Sequence, residues 1–151
     1  MRRLALPLIA TCLFAGLPAI ATAATAPADA IKYRQAVMDG MAAHVNAVLL
    51  LVTGKVDHPD QVKGHADALA ALAENAKTVF PADSGGADTR ALPLIWEDRT
   101  QFDEIMVKLT KSTGQLRDAV AANDKAASMA AFKAVGESCK ACHDRYRKPK
   151  D

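Results

Sequence analysis

The chain has 151 residues, half of them hydrophobic and about a quarter charged, which suits one globular domain with a single core. Lys and Arg number 19 and Asp and Glu number 17. Two of the bases, Arg2 and Arg3, sit in a leader-like start; without them 19 − 2 = 17 bases face 17 acids, which argues against a nucleic-acid-binding surface.

Met1-Arg2-Arg3 is a short positive start, Leu4 to Ile20 is almost wholly apolar, and Ala21-Thr22-Ala23 offers small residues for cleavage. These are the three parts of a secretory signal. Gly16 and Pro18 break the run before it reaches the roughly 20 apolar residues of a membrane-spanning helix. The expected organisation is a cleaved signal peptide over 1–23 and one domain over 24–151, periplasmic, with no stable membrane insertion after cleavage. Cys12 falls in the discarded segment, so the mature chain keeps Cys139 and Cys142.

Four amphipathic stretches follow. Ile31, Arg34, Met38, Met41, Val45, Val48 and Val52 alternate spacings of three and four, as do Val62 to Val79, Phe102 to Ala119, and Met129, Phe132, Gly136, Cys139, His143 and Tyr146. Each set lines one helix face. Pro27 opens the first helix and Gly54 closes it; Asp57-His58-Pro59 starts the second; Pro81 to Pro93, with Ser84-Gly85-Gly86, is a loop; Asn123-Asp124 separates the third and fourth; Pro149 ends the last. No alternating strand pattern occurs. The expected fold is all-α: four helices of about 20–25 residues, near 30–38 Å each, in an antiparallel up-and-down bundle. Aromatics are only 5% of the chain, so a bulky group is expected to complete the core.

Cys139-Lys140-Ala141-Cys142-His143 is a C-x-x-C-H sequence, the attachment pattern of c-type haem. On a helix, residues three and four apart share a face, so two thiols reach two vinyl groups and the imidazole meets the iron. Cys139 and Cys142 are read as the covalent anchors of one haem c, and His143 as its iron ligand. A disulfide closing so short a loop would remove little chain entropy. A structural zinc site needs four ligands, and a thioredoxin-like pair belongs at a helix start beside a strand.

The opposite face of the iron must be served by another helix. Met38 is a candidate, since methionine sulfur is a soft ligand that raises haem potential, although methionine on an apolar face is commonly core filling. Arg34, on the same stripe, must snorkel out or find an anion such as a haem propionate. His65 reads as a hydrogen-bonded or edge histidine, and His44 and His58 as surface residues without a role. Arg145, Arg147, Lys148 and Lys150 suit a solvated helix end.

With these residues in view, the sequence resembles the class II c-type cytochromes, meaning cytochrome c′ and its low-spin monohaem relatives. The features that carry the resemblance are Ile31-Lys32-Tyr33-Arg34-Gln35 leading to Met38, Phe80 before a glycine-bearing loop, Ile95-Trp96, and the terminal Cys139-Lys140-Ala141-Cys142-His143-Asp144-Arg145-Tyr146-Arg147. The resemblance implies that Arg34 lies near the haem, that Arg147 lies on the proximal side, and that Met38 occupies the distal position. In the low-spin branch a methionine there ligates the iron of an electron carrier. In cytochrome c′ an apolar side chain shields an open site that binds nitric oxide or carbon monoxide, and some members have an unligated methionine there. Phe80-Pro81-Ala82-Asp83-Ser84-Gly85-Gly86 and Trp96-Glu97-Asp98-Arg99 look more like the low-spin branch. The expectation is a periplasmic electron carrier, not an enzyme, with redox proteins as partners. The alternative is a five-coordinate gas binder. Family members often dimerise through their first two helices, and the Ala- and Val-rich flanks permit a homodimer without requiring one.

Overall fold

The computed structural model describes residues 25–149. The signal peptide expected over 1–23 lies outside the described residues. Proline at the first turn opens α1 (Pro27–Val52), where its missing N–H costs nothing. Gly54, at φ +68°, takes the left-handed conformation that ends it. α1 is long and apolar enough to cross a membrane by length and composition, but it carries a buried Arg34 and packs on α2.

The second stretch is helical from 59 to 79, in three pieces. A 3₁₀ turn (Pro59–Gln61) leads into α2 (Val62–Asn75), and a second 3₁₀ turn (Ala76–Val79) carries the chain to Phe80. Thr78 Oγ1 donates to Asn75 O at 2.7 Å, and Phe80 precedes a proline, a position disfavoured for helix.

The expected third helix is interrupted. α3 (Leu94–Glu97) is a single turn, and α4 (Arg99–Ala121) begins after Asp98, which leaves helical geometry at φ −119°, ψ 57°. The Asp98 carboxylate accepts from the Gln101 backbone N–H at 3.4 Å and from Arg145 at 2.6 Å. It therefore caps α4 and ties its start to the last helix. α5 (Lys125–Tyr146) follows a tight turn with Asn123 at φ 55° and is capped by Asp124, which accepts from the Ala127 N–H at 2.9 Å. It stops before Pro149. Arg147 forms an isolated antiparallel bridge with Ala91, Lys148 N–H donates to Arg90 O at 2.8 Å, and Leu92 N–H donates to Tyr146 O at 2.9 Å.

α1, α2, α4 and α5 form an antiparallel four-helix bundle. Its core joins Val48, Leu69, Phe102, Leu116 and Val135, all fully buried, at roughly 1.5–3 kcal/mol per side chain. Phe80, Phe102 and Tyr146 stack edge to face, with centroids 4.9 and 5.4 Å apart. The buried face of α5 is rotated from the expected stripe: Ser128, Ala131 and Val135 are buried, whereas Met129 and Gly136 are exposed. The rotation follows from α4, because α5 packs most extensively on that helix. α1 and α5 scarcely touch, and the gap between them positions the site.

Candidate functional site

A cavity of about 530 Å³ lies between α1 and α5, within the roughly 300–1,000 Å³ range of cofactor pockets. α1 supplies Arg34, Met38, Met41, Ala42 and Val45; α5 supplies Ser138, Cys139, Cys142, His143 and Tyr146; Phe80, Ile95, Met106 and Leu109 line it as well. Gln35, Asp39, Asn46, Arg90 and Arg147 add polar groups. All five residues singled out in the sequence thus meet at one cavity, Arg34 and Met38 on one helix and Cys139, Cys142 and His143 on another.

The helix sets the order on α5. Cys139 and Cys142 are one turn apart, and His143 is four residues from Cys139, so all three are half-buried along one wall. The two cysteines are not joined to each other in a disulfide. Burial pushes the Cys142 thiol up to about 11, helped by the neighbouring Cys139 and opposed by Arg147. Cys139 is raised as well, chiefly by burial. His143 is lowered, first by burial and then by the Arg147 and Arg90 charges. The imidazole is therefore kept in its neutral, metal-ligating form at pH 7.

Arg34 is only 3% exposed. Its guanidinium donates to Ser84 Oγ at 2.8 Å, Ser84 O at 2.8 Å and Thr89 Oγ1 at 3.0 Å, and it lies 5.0 Å from the Phe80 ring centroid. It neither snorkels nor pairs with a carboxylate among the described residues. Its main visible task is to fasten the 81–89 loop, which the sequence did not disclose. Ser84, fully buried, donates in turn to Pro81 O, and Trp96 Nε1 donates to the same carbonyl.

Three observations test whether a haem suits this place. The α1–α5 seam is left open by the protein's own side chains. Arg34 is a buried cation bonded only to neutral acceptors, an arrangement that favours an anion such as a propionate. The Tyr146 hydroxyl is buried with no hydrogen-bond partner, although such groups are almost always paired. Two thiols, one neutral imidazole and apolar walls match the group. No cluster of three or more His, Cys, Asp or Glu side chains is placed to hold a metal ion among the described residues, so Cys139, Cys142 and His143 do not form the four-ligand set of a structural zinc site.

Met106, Phe80 and Arg90 were not foreseen in the site. Met106 lies three residues before Leu109, so its periodicity was available to be read. Arg90 arrives through the pairing of 90–92 with the C-terminal tail, for which no sequence pattern exists.

A family model described as Cytochrome C′ matches residues 29–147. Cytochrome c′ of Alcaligenes xylosoxydans xylosoxydans is 36% identical over 125 residues, covering 82% of this chain and 97% of the relative. Among solved structures, a ferrous variant of cytochrome c prime from Alcaligenes xylosoxidans with bound NO superposes with a TM-score of 0.76 at 34% identity, covering 82% of this chain and 97% of that one. A carbon monoxide-bound variant from the same source gives 0.76 at 34% identity, covering 82% and 98%.

Proposed function

This chain belongs to the cytochrome c′ family and binds one covalent haem c, and from that premise we propose that it is an exported, periplasmic electron carrier in which His143 and Met38 face the iron from opposite helices. The bound haem supplies a one-electron iron couple. Cys139 and Cys142 would anchor it through thioethers, and His143 would give the proximal nitrogen. The observation that carries the reading is Met38 on the α1 wall, half-buried and across the cavity from His143. A thioether from one helix and an imidazole from another, both held by a packed bundle, would keep the iron's surroundings nearly constant between oxidation states. Arg34 holds the loop beside the cavity and offers charge to a propionate. Arg90 and Arg147 place positive charge near His143, where a redox partner protein would approach. The cavity's α1 wall carries no histidine to act as a peroxidase's distal acid–base group, and its one carboxylate, Asp39, is solvent-exposed.

Visible spectra test this directly. The unmodified protein should be low-spin with a thioether–iron band at long wavelength, and Met38→Ala should abolish the band and turn the protein high-spin. A high-spin spectrum in the unmodified protein contradicts Met38 ligation.

A second reading, reversible binding of a diatomic gas on the α1 side, is favoured by the relatives solved with nitric oxide and carbon monoxide bound. Met38, Met41 and Val45 would then shield an open position with apolar atoms. Prompt stoichiometric uptake of carbon monoxide by the reduced protein at neutral pH supports this reading, and absence of uptake excludes it.

A further inference from the structure

His44 and His65 stand apart from the haem cavity, since neither lines it. His44 is on α1 and His65 on α2, and both are half-buried where these helices pack together. The two helices approach closely: a Cβ on Gly40, one turn before His44, would lie 3.4 Å from Leu72 Cδ1. The two Nδ1 atoms are 2.9 Å apart, with ring centroids separated by 5.2 Å and planes inclined at 53°. Two neutral imidazoles can share such a contact only when one Nδ1 carries the proton and the other accepts it.

We propose that His44 and His65 form a two-histidine site for a divalent transition-metal ion of the zinc and copper class, joining α1 to α2 through the two Nδ1 atoms. Imidazole nitrogens bind such ions at about 2.0–2.1 Å, so two ligands at right angles stand about 2.9 Å apart and two at a tetrahedral angle about 3.3 Å apart. The observed separation meets the first value and reaches the second with a few tenths of an ångström of ring movement. The ion takes the place of the shared proton. The donor ring moves its proton from Nδ1 to Nε2, so the neutral pair releases no net proton, while a protonated pair must lose one before binding. No third His, Cys, Asp or Glu completes the set among the described residues, and water fills the remaining positions of this partly exposed site. Imidazole ligands select zinc, copper or nickel over magnesium and calcium. The histidines are 21 residues apart in sequence and carry no recognisable spacing motif.

Calorimetric titration of the haem-loaded protein with zinc sulfate tests the site. One equivalent should bind, the unfolding midpoint should rise with zinc concentration, and His44→Gln and His65→Gln should each weaken binding by about tenfold or more. His58→Gln, on the exposed loop, should leave the affinity unchanged. The haem spectrum of each variant reports that it is folded. Failure of the unmodified protein to bind zinc stoichiometrically overturns the proposal whatever the variants do, and so does unchanged affinity in both His44→Gln and His65→Gln.

Discussion

The seam between α4 and α5 and the seam between α1 and α5 use the same helix in opposite ways. Toward α4, α5 presents Val135 and Tyr146, which meet a wall headed by Phe102, Ile105, Leu109 and Leu116. Toward α1 it presents Cys139, Cys142 and His143, which share a cavity with Met38, Ala42 and Val45 of α1. The first seam follows ordinary helix packing, where buried hydrocarbon holds two helices together. The second is the seam we propose the haem completes. One helix thus carries both a folding face and a cofactor face, a short rotation apart.

The largest effect should come from removing the anchors. Cys139→Ser with Cys142→Ser should abolish covalent haem and leave a markedly destabilised chain, seen as loss of colour after denaturing electrophoresis and a lower urea midpoint. Retention of covalent haem would contradict the assignment of the α1–α5 seam.

Arg34→Leu strips three hydrogen bonds from the buried Ser84 and Thr89. Leaving such groups unpaired should cost about 2–4 kcal/mol, read from urea unfolding of the haem-loaded protein. A loss below about 0.5 kcal/mol, the level of an ordinary surface substitution, would show that the loop does not depend on Arg34.

Solution pH separates the seams next. In the haem-free polypeptide His143 is lowered from 6.5, so the unfolded chain takes up its proton first and stability falls as pH drops below 6.5. Cys142 is raised from 9.0 to about 11, so the unfolded chain loses its proton first and stability falls as pH rises from 9 toward 11. The haem-loaded protein has neither titration available and should show a flatter profile. Identical profiles with and without haem would contradict this.

The smallest effect is expected in the α4–α5 seam. In the haem-free polypeptide Tyr146→Phe removes a buried hydroxyl without a partner and keeps the ring against Phe102, so stability there should stay within about 1 kcal/mol or rise. A larger loss would show that the hydroxyl is bonded within the polypeptide itself.

Much of this was legible from residue spacing. The C-x-x-C-H run, the stripe holding Arg34 and Met38, and the capping Asn123-Asp124 turn are local signals, and local signals survive folding. The break at Asp98 was harder to see, because its carboxylate is recruited by Arg145, 47 residues away. The rotated face of α5 depends on where α4 lies, and the Arg34–Ser84 contact spans 50 residues. The pairing of Ala91 with Arg147 and the meeting of His44 with His65 arise only when distant segments are brought together. No periodicity announces such contacts. The family resemblance implies that Arg34 lies near the haem; what the structure shows is Arg34 pinning the loop that frames the cavity.

The most direct test of the haem-filled α1–α5 seam is mass mapping of the protein exported by cells able to mature c-type cytochromes. After denaturation and proteolysis, one haem should remain on the single peptide containing Cys139, Cys142 and His143. Haem that dissociates on denaturation, or that maps to any other peptide, would contradict the account.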